Sequence, residues 1–193
     1  MTDAQLIEGI LNREQKCFKE LVDKYQLLVL NTCNSFLHDK NNAEDITQEV
    51  FIEVFLSINK FKSEAKLSTW LYRIAVNKSL NFIRDNKKRS LVKSIENYFS
   101  GEQKSELQIP DNNSIYFDID DSHTEKIELL HKAIDSLSDK QKTALTLSKF
   151  EKLSYAQIAE VMDLSLSSVE GLIHRAKINL QKKILNYYKK KSR

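Results

Sequence analysis

Three carboxylates and an amide stand close together at Asp45, Gln48, Glu49 and Glu53. Their i, i+3, i+4, i+8 spacing places them near one side of a helix. Carboxylates acting as general acid and base need a cleft and a positioned substrate, and no neighbouring motif supplies either. The stripe reads as a solvated face or as a docking face for a basic partner helix. The four histidines, His38, His123, His131 and His174, are scattered. They make no metal-ligand spacing and accompany no nucleophile motif, so no catalytic residue, metal or cofactor is expected.

A second group lies in residues 61–89, where Phe61, Trp70 and Tyr72 interleave with Lys62, Lys66, Arg73, Lys78 and further bases. Rings stack on bases and cations follow phosphates, so this pattern suits single-stranded nucleic acid, at about 1–3 kcal/mol per stacked base. The alternative is that Phe61 and Trp70 belong to a core. A third group spans Ser154 to Lys177. Ile158 and Ala159 belong to a short helix, with Ala159 small enough for another helix to cross it. A turn at 163–166 follows, and Val169, Leu172 and Ile173 point inward from a second helix. That is helix-turn-helix spacing, in which the second helix enters a DNA major groove. Ser167, Ser168, Glu170, Gly171 and His174 would face base edges, and Arg175 and Lys177 phosphates or bases. Glu170 can instead close a capping box with Ser167.

The elements that carry these groups are helical. The 193 residues hold three glycines and one proline, where average usage gives roughly 20 of the two together. Glycine-rich phosphate loops and many-stranded β folds are excluded. Apolar residues recur with helical period in three sets, Phe18–Leu37, Ile46–Ile58 and Leu71–Ile83, preceded by a short helix from Asp3 to Leu11. Ser122/Glu125, Ser138/Gln141, Ser154/Gln157 and Ser167/Glu170 each match a capping box before an apolar-periodic run. They predict helices near 123–136, 139–150, 155–162 and 168–188. The chain reads as all-α, with a helical bundle over 1–96, a linker over 97–124 holding Gly101 and Pro110, and a helix-turn-helix domain over 125–193.

Charge follows this division. Residues 1–72 carry −3, 73–89 carry +5, 90–125 carry −6 and 126–193 carry +7. Basic blocks suit polyanions. An acidic linker between basic surfaces leads to the expectation that the free chain packs its two domains together and masks both DNA surfaces. No run of 18 apolar residues or signal peptide is present, so no membrane partner is expected and the cytosol is the expected compartment. Cys17 and Cys33, if on one helix, lie about 24 Å apart, too far for a disulfide, and read as core thiols.

Taken in order, Asp45-x-x-Gln48-Glu49-Val50-Phe51, Ser68-Thr69-Trp70-Leu71-Tyr72-Arg73-Ile74-Ala75-x-Asn77 and the segment ending His174-Arg175-Ala176-Lys177 resemble bacterial RNA polymerase sigma factors of the extracytoplasmic-function (ECF) group. These keep only the second and fourth sigma regions. The resemblance covers about 5–90 and 125–188. It implies that Asp45, Gln48, Glu49 and Phe51 grip a coiled coil of the polymerase's largest subunit. It implies that Lys62 to Lys66, with Lys62, Ser63 and Lys66 as the contacting residues, form a loop capturing a flipped promoter base, and that Phe61 beside it also serves the proximal element. Trp70, Tyr72, Arg73, Asn77 and Lys78 would meet the opening duplex, and Ser167, Ser168, Glu170, Gly171, His174, Arg175 and Lys177 would read the distal element. Core RNA polymerase and promoter DNA are the implied partners, with an anti-sigma factor as a regulator. Ser138 and Lys142 stand where the family often has Pro and Arg. Glu170 and Leu172 stand where many members have basic residues, so the promoter sequence does not carry over. The rival readings are a free-standing helix-turn-helix regulator and a helical adaptor.

Overall fold

The computed structural model describes residues 1–61, 65–99 and 121–191, and every regular element among them is helical. The first unit holds α1 (Asp3–Leu11), α2 (Gln15–Leu37), α3 (Lys40–Ser57), a 3-10 turn (Ile58–Lys60) and α4 (Leu67–Phe99). The second holds α5 (Asp121–Asp135), α6 (Asp139–Lys149), α7 (Tyr155–Met162) and α8 (Leu166–Lys191). The segment expected as linker is thus helical at both ends, in 97–99 and 121–124; residues 100–120 lie outside the described residues.

The first unit packs because its helices present apolar faces at helical period. Leu21, Val29 and Cys33 of α2, Ile46, Val50 and Val54 of α3, and Leu71 and Ala75 of α4 share one core with Leu6 of α1. Cys17 and Cys33 are both buried free thiols, as expected. Phe55, within the apolar-periodic set Ile46–Ile58, is nonetheless exposed and rests edge-on against Phe18, with ring centroids 5.1 Å apart. Gly9 lets α1 lie against α2. A Cβ there would overlap the Cys17 thiol and stand 2.9 Å from its Cβ. Gly9→Ala is therefore expected to destabilise the protein by about 1–3 kcal/mol, the range for overpacking, read as a lower denaturant midpoint.

Helix ends depart from the sequence expectation in instructive ways. Ser154 and Gln157 form the full capping box of α7, and Thr2 and Gln5 form another at α1. Ser138 is the N-cap of α6 but makes no side-chain capping bond. α5 begins at Asp121, so Ser122 lies inside it. With so few glycines, left-handed positions fall to other residues: Arg13, His38, Lys152 and Asp163 have φ of 64°, 55°, 55° and 53°. His38 and Asp163 close α2 and α7 in this conformation, the place usually held by glycine or asparagine.

Candidate nucleic-acid and partner interfaces

On α3, Asp45, Gln48 and Glu49 are exposed. Ile52 and Leu56 are exposed as well, at i+7 and i+11 from Asp45. The face is therefore mixed acidic and apolar, a feature missed when only polar positions were followed. Phe51 corrects the sequence reading: it is buried among the core residues. Six positions on from Asp45, the helical turn carries it about 120° round from that residue, onto the buried face, where it packs α3 into the core. Lys78 of α4 reaches across to Glu49 (3.6 Å) and Glu53 (3.8 Å).

The aromatic–basic tract divides among several directions because successive helical residues turn by about 100°. Trp70 is half-buried against the first core and meets Phe61 with centroids 5.3 Å apart. The core alternative therefore describes much of both rings. Phe61, exposed Lys66 and Ser68 line a shallow open cleft with Asp3, Ala4 and Ile7 of α1. Lys62 and Ser63 lie outside the described residues. Asn77 is exposed. Tyr72 and Arg73 turn the other way, toward the second unit. Arg73 Nε donates to the carbonyl of Val161 (3.1 Å), and its guanidinium also donates to the carbonyl of Glu160. Burial pushes the Tyr72 phenol above its ordinary value, with the Glu151 carboxylate adding to the effect.

In the second unit, Ile158, Val161, Val169 and Ile173 form the core that fixes α7 against α8. The turn between them runs through left-handed Asp163. Ser165 opens α8, accepting from the Ser168 N–H (3.3 Å). Its hydroxyl also meets those of Ser167 (3.1 Å) and Ser168 (2.8 Å). The Ser167/Glu170 capping box is thus not formed, because the helix starts one residue before Ser167; Glu170 is left exposed. Ser167, Ser168, His174, Arg175 and Lys177 are exposed too. Gly171 sits beneath Arg175, whose Nη1 would lie 3.2 Å from an added Cβ. An exposed guanidinium can shift by that little. Gly171→Ala is expected to raise the stability of the second unit by up to about 1 kcal/mol through helix propensity, seen as a higher melting temperature.

The two units meet along a seam. Phe36 of α2 and Val76 of α4 are buried in the second unit's core beside Ala144, Leu147 and Val161. Lys142 of α6 is buried, with 4% of its side chain exposed. Its ammonium donates to the Phe36 carbonyl (3.1 Å) and to Asp135, and lies 5.9 Å from the Phe36 ring centre. Ser35 donates to Glu151 (3.0 Å), and Arg84 pairs with Asp139 (3.3 Å). The expectation that both DNA surfaces are masked holds only in part. The α4 face bearing Tyr72 and Arg73 is partly covered, while the start of α8 is open. Apolar packing and a buried cation make this seam among the described residues.

Residues 21–89 match the family described as Sigma-70 region 2, and residues 127–180 match Sigma-70, region 4. The chain is 32% identical over 189 residues to the ECF RNA polymerase sigma-E factor of Haemophilus influenzae, covering 95% of this chain and 96% of that protein. It is 31% identical to the RNA polymerase sigma-H factor of Pseudomonas aeruginosa, covering 93% and 92%. Among solved structures, CnrH in complex with the cytosolic domain of CnrY has a similar fold, with a TM-score of 0.63 at 19% identity over 96% of this chain and 97% of that one. The sigma factor RpoE of Bartonella quintana, in complex with the anti-sigma factor NepR, gives 0.57 at 20% identity over 88% and 97%.

Proposed function

The chain belongs to the ECF group of RNA polymerase sigma factors, and from that we propose how its surfaces divide the work of initiation. It binds core RNA polymerase, brings it to promoters and helps open the duplex, itself catalysing no reaction. The α3 face of Asp45, Gln48 and Glu49, extended by Ile52 and Leu56, receives a basic helical surface of the polymerase. Trp70, Asn77 and Lys78 on α4, with Lys66 and the adjoining Lys62 and Ser63, engage the proximal element as its strands part. The exposed start of α8 reads the distal element through Ser167, Ser168, Glu170 and His174, with Arg175 and Lys177 on phosphates. The cytosol is the compartment where these partners meet, and an anti-sigma factor is a fitting regulator.

The observation that carries this reading is one chain holding an open helix-turn-helix face on one unit and an exposed acidic–apolar face on the other. A free-standing regulator leaves the second face without a task, and the whole-length likeness to sigma factors does not favour it. In the free protein the seam withholds Tyr72 and Arg73, so polymerase binding and exposure of α4 are coupled. Gel shift with promoter DNA tests the function. The expected result is a promoter-specific complex with core polymerase and only weak, salt-sensitive binding by the chain alone. Tight specific binding by the chain alone, unaffected by core, would overturn it.

A further inference from the structure

The seam carries a pair of imidazoles that no interface described above uses. His38, at the end of α2, stacks on His131 of α5 with ring centroids 3.9 Å apart and planes 6° from parallel. One ring comes from each unit, so the stack exists only while the units are together. Asp135 of α5 approaches His38 Nε2 at 4.0 Å. The Lys142 ammonium of α6 disfavours a second positive charge on either ring. Glu128 of α5 acts the other way on His131. Asp39, next along the chain, is occupied in capping α3 through the Asn42 N–H.

Resting on the closed arrangement above, we propose that the His38–His131 stack is an acid-sensitive latch: proton uptake there parts the two units and uncovers Tyr72 and Arg73 for DNA. Two stacked imidazoles beside a buried ammonium tolerate neutral rings and oppose a charged one, because closure removes the water that would solvate the charge. Burial holds both rings below their ordinary value, His38 down to about 4, with the neighbouring cations adding to the effect. Opening returns each toward about 6.5. The open form therefore binds protons more readily, and closure is undiminished above about pH 6.5 and weakens as pH falls below it. A single such histidine lowers the closing constant about tenfold by pH 5.5.

Glu151 opposes this effect. Burial raises its carboxyl above the ordinary value despite the bond from Ser35. Closure is thus favoured as Glu151 becomes protonated. Removing that contribution with Glu151→Gln isolates the histidines.

Energy transfer between dyes on Lys19→Cys and Lys183→Cys, both exposed positions, reads the opening in full-length Glu151→Gln protein. Between pH 7.5 and 5.5 the ratio of open to closed molecules is expected to rise about tenfold or more, with helical circular dichroism unchanged. In His38→Asn/His131→Gln on the same background it should rise less than twofold; asparagine suits the left-handed backbone at 38. A flat ratio in the protein with both histidines, an equal rise in the double variant, or a rise accompanied by lost helicity overturns the latch. Molecules already open at pH 7.5 overturn the closed arrangement and the latch together.

Discussion

Replacing Glu49 by Lys is expected to weaken binding to core RNA polymerase by about 100-fold, or about 2.7 kcal/mol, with the fold unchanged. Glu49 is the middle of the α3 face and more than half of its side chain is exposed. Its ion pair with Lys78 is a surface pair worth at most about 1 kcal/mol, so the free protein loses little. Against a basic surface the change removes an attraction and adds a repulsion at the same point. Charge pairs across an interface carry energies of this order. Phe51→Ala makes the contrast. That ring is buried, and its truncation is expected to cost about 3–5 kcal/mol of stability. Its effect on polymerase affinity should follow the loss of folded protein and disappear once affinity is corrected for the folded fraction. Titration of labelled protein with core, beside a denaturant melt, separates the two effects. Comparable affinity loss per folded molecule in both variants would place the docking face elsewhere.

The second large effect is expected from Ile173→Ala. Ile173 is 2% exposed and packs with Ile158, Val161 and Val169. Truncating an isoleucine in such a core costs about 2–5 kcal/mol, depending on how far the site collapses. The α7–α8 unit is small, so that loss is a large fraction of its stability. Because Val76 and Phe36 lie in the same cluster, the seam should loosen as well. Hydrogen exchange should show α7 and α8 opening first while α2 and α3 remain protected. Promoter-specific binding of the holoenzyme should fall more than tenfold, while core binding through α3 is retained. Uniform loss of protection along the chain would mean that the two units unfold as one.

Sequence patterning carried the helices well because each buries apolar residues that recur at helical spacing. α1 occupies the expected residues, and α7 occupies its expected span with its capping box intact. The misses share physical reasons. A Ser/Glu pair just inside a helix looks identical in sequence to one that caps it, so Ser167/Glu170 stood in for the true cap at Ser165, two residues earlier. Left-handed ends at His38 and Asp163 carry none of the glycine that normally announces them. Phe51 was read from a motif, whereas the helical angle from Asp45 already pointed it inward. Ile52 and Leu56 were passed over because an exposed apolar residue has no local signature. The seam could not be read at all from local pattern. Lys142 and Phe36 are 106 positions apart, and a lysine on a helix gives no sign that its ammonium will be buried against a carbonyl.

The central claim is that this chain confers promoter choice on a polymerase. Run-off transcription with cognate core enzyme and a library of upstream sequences tests it most directly. The account predicts a discrete set of transcripts that share an upstream element, that need both core and this protein, and that diminish with Glu49→Lys and with Ile173→Ala. Absence of any promoter-specific transcript across the library, with core shown to be active on its own sigma factors, would contradict it.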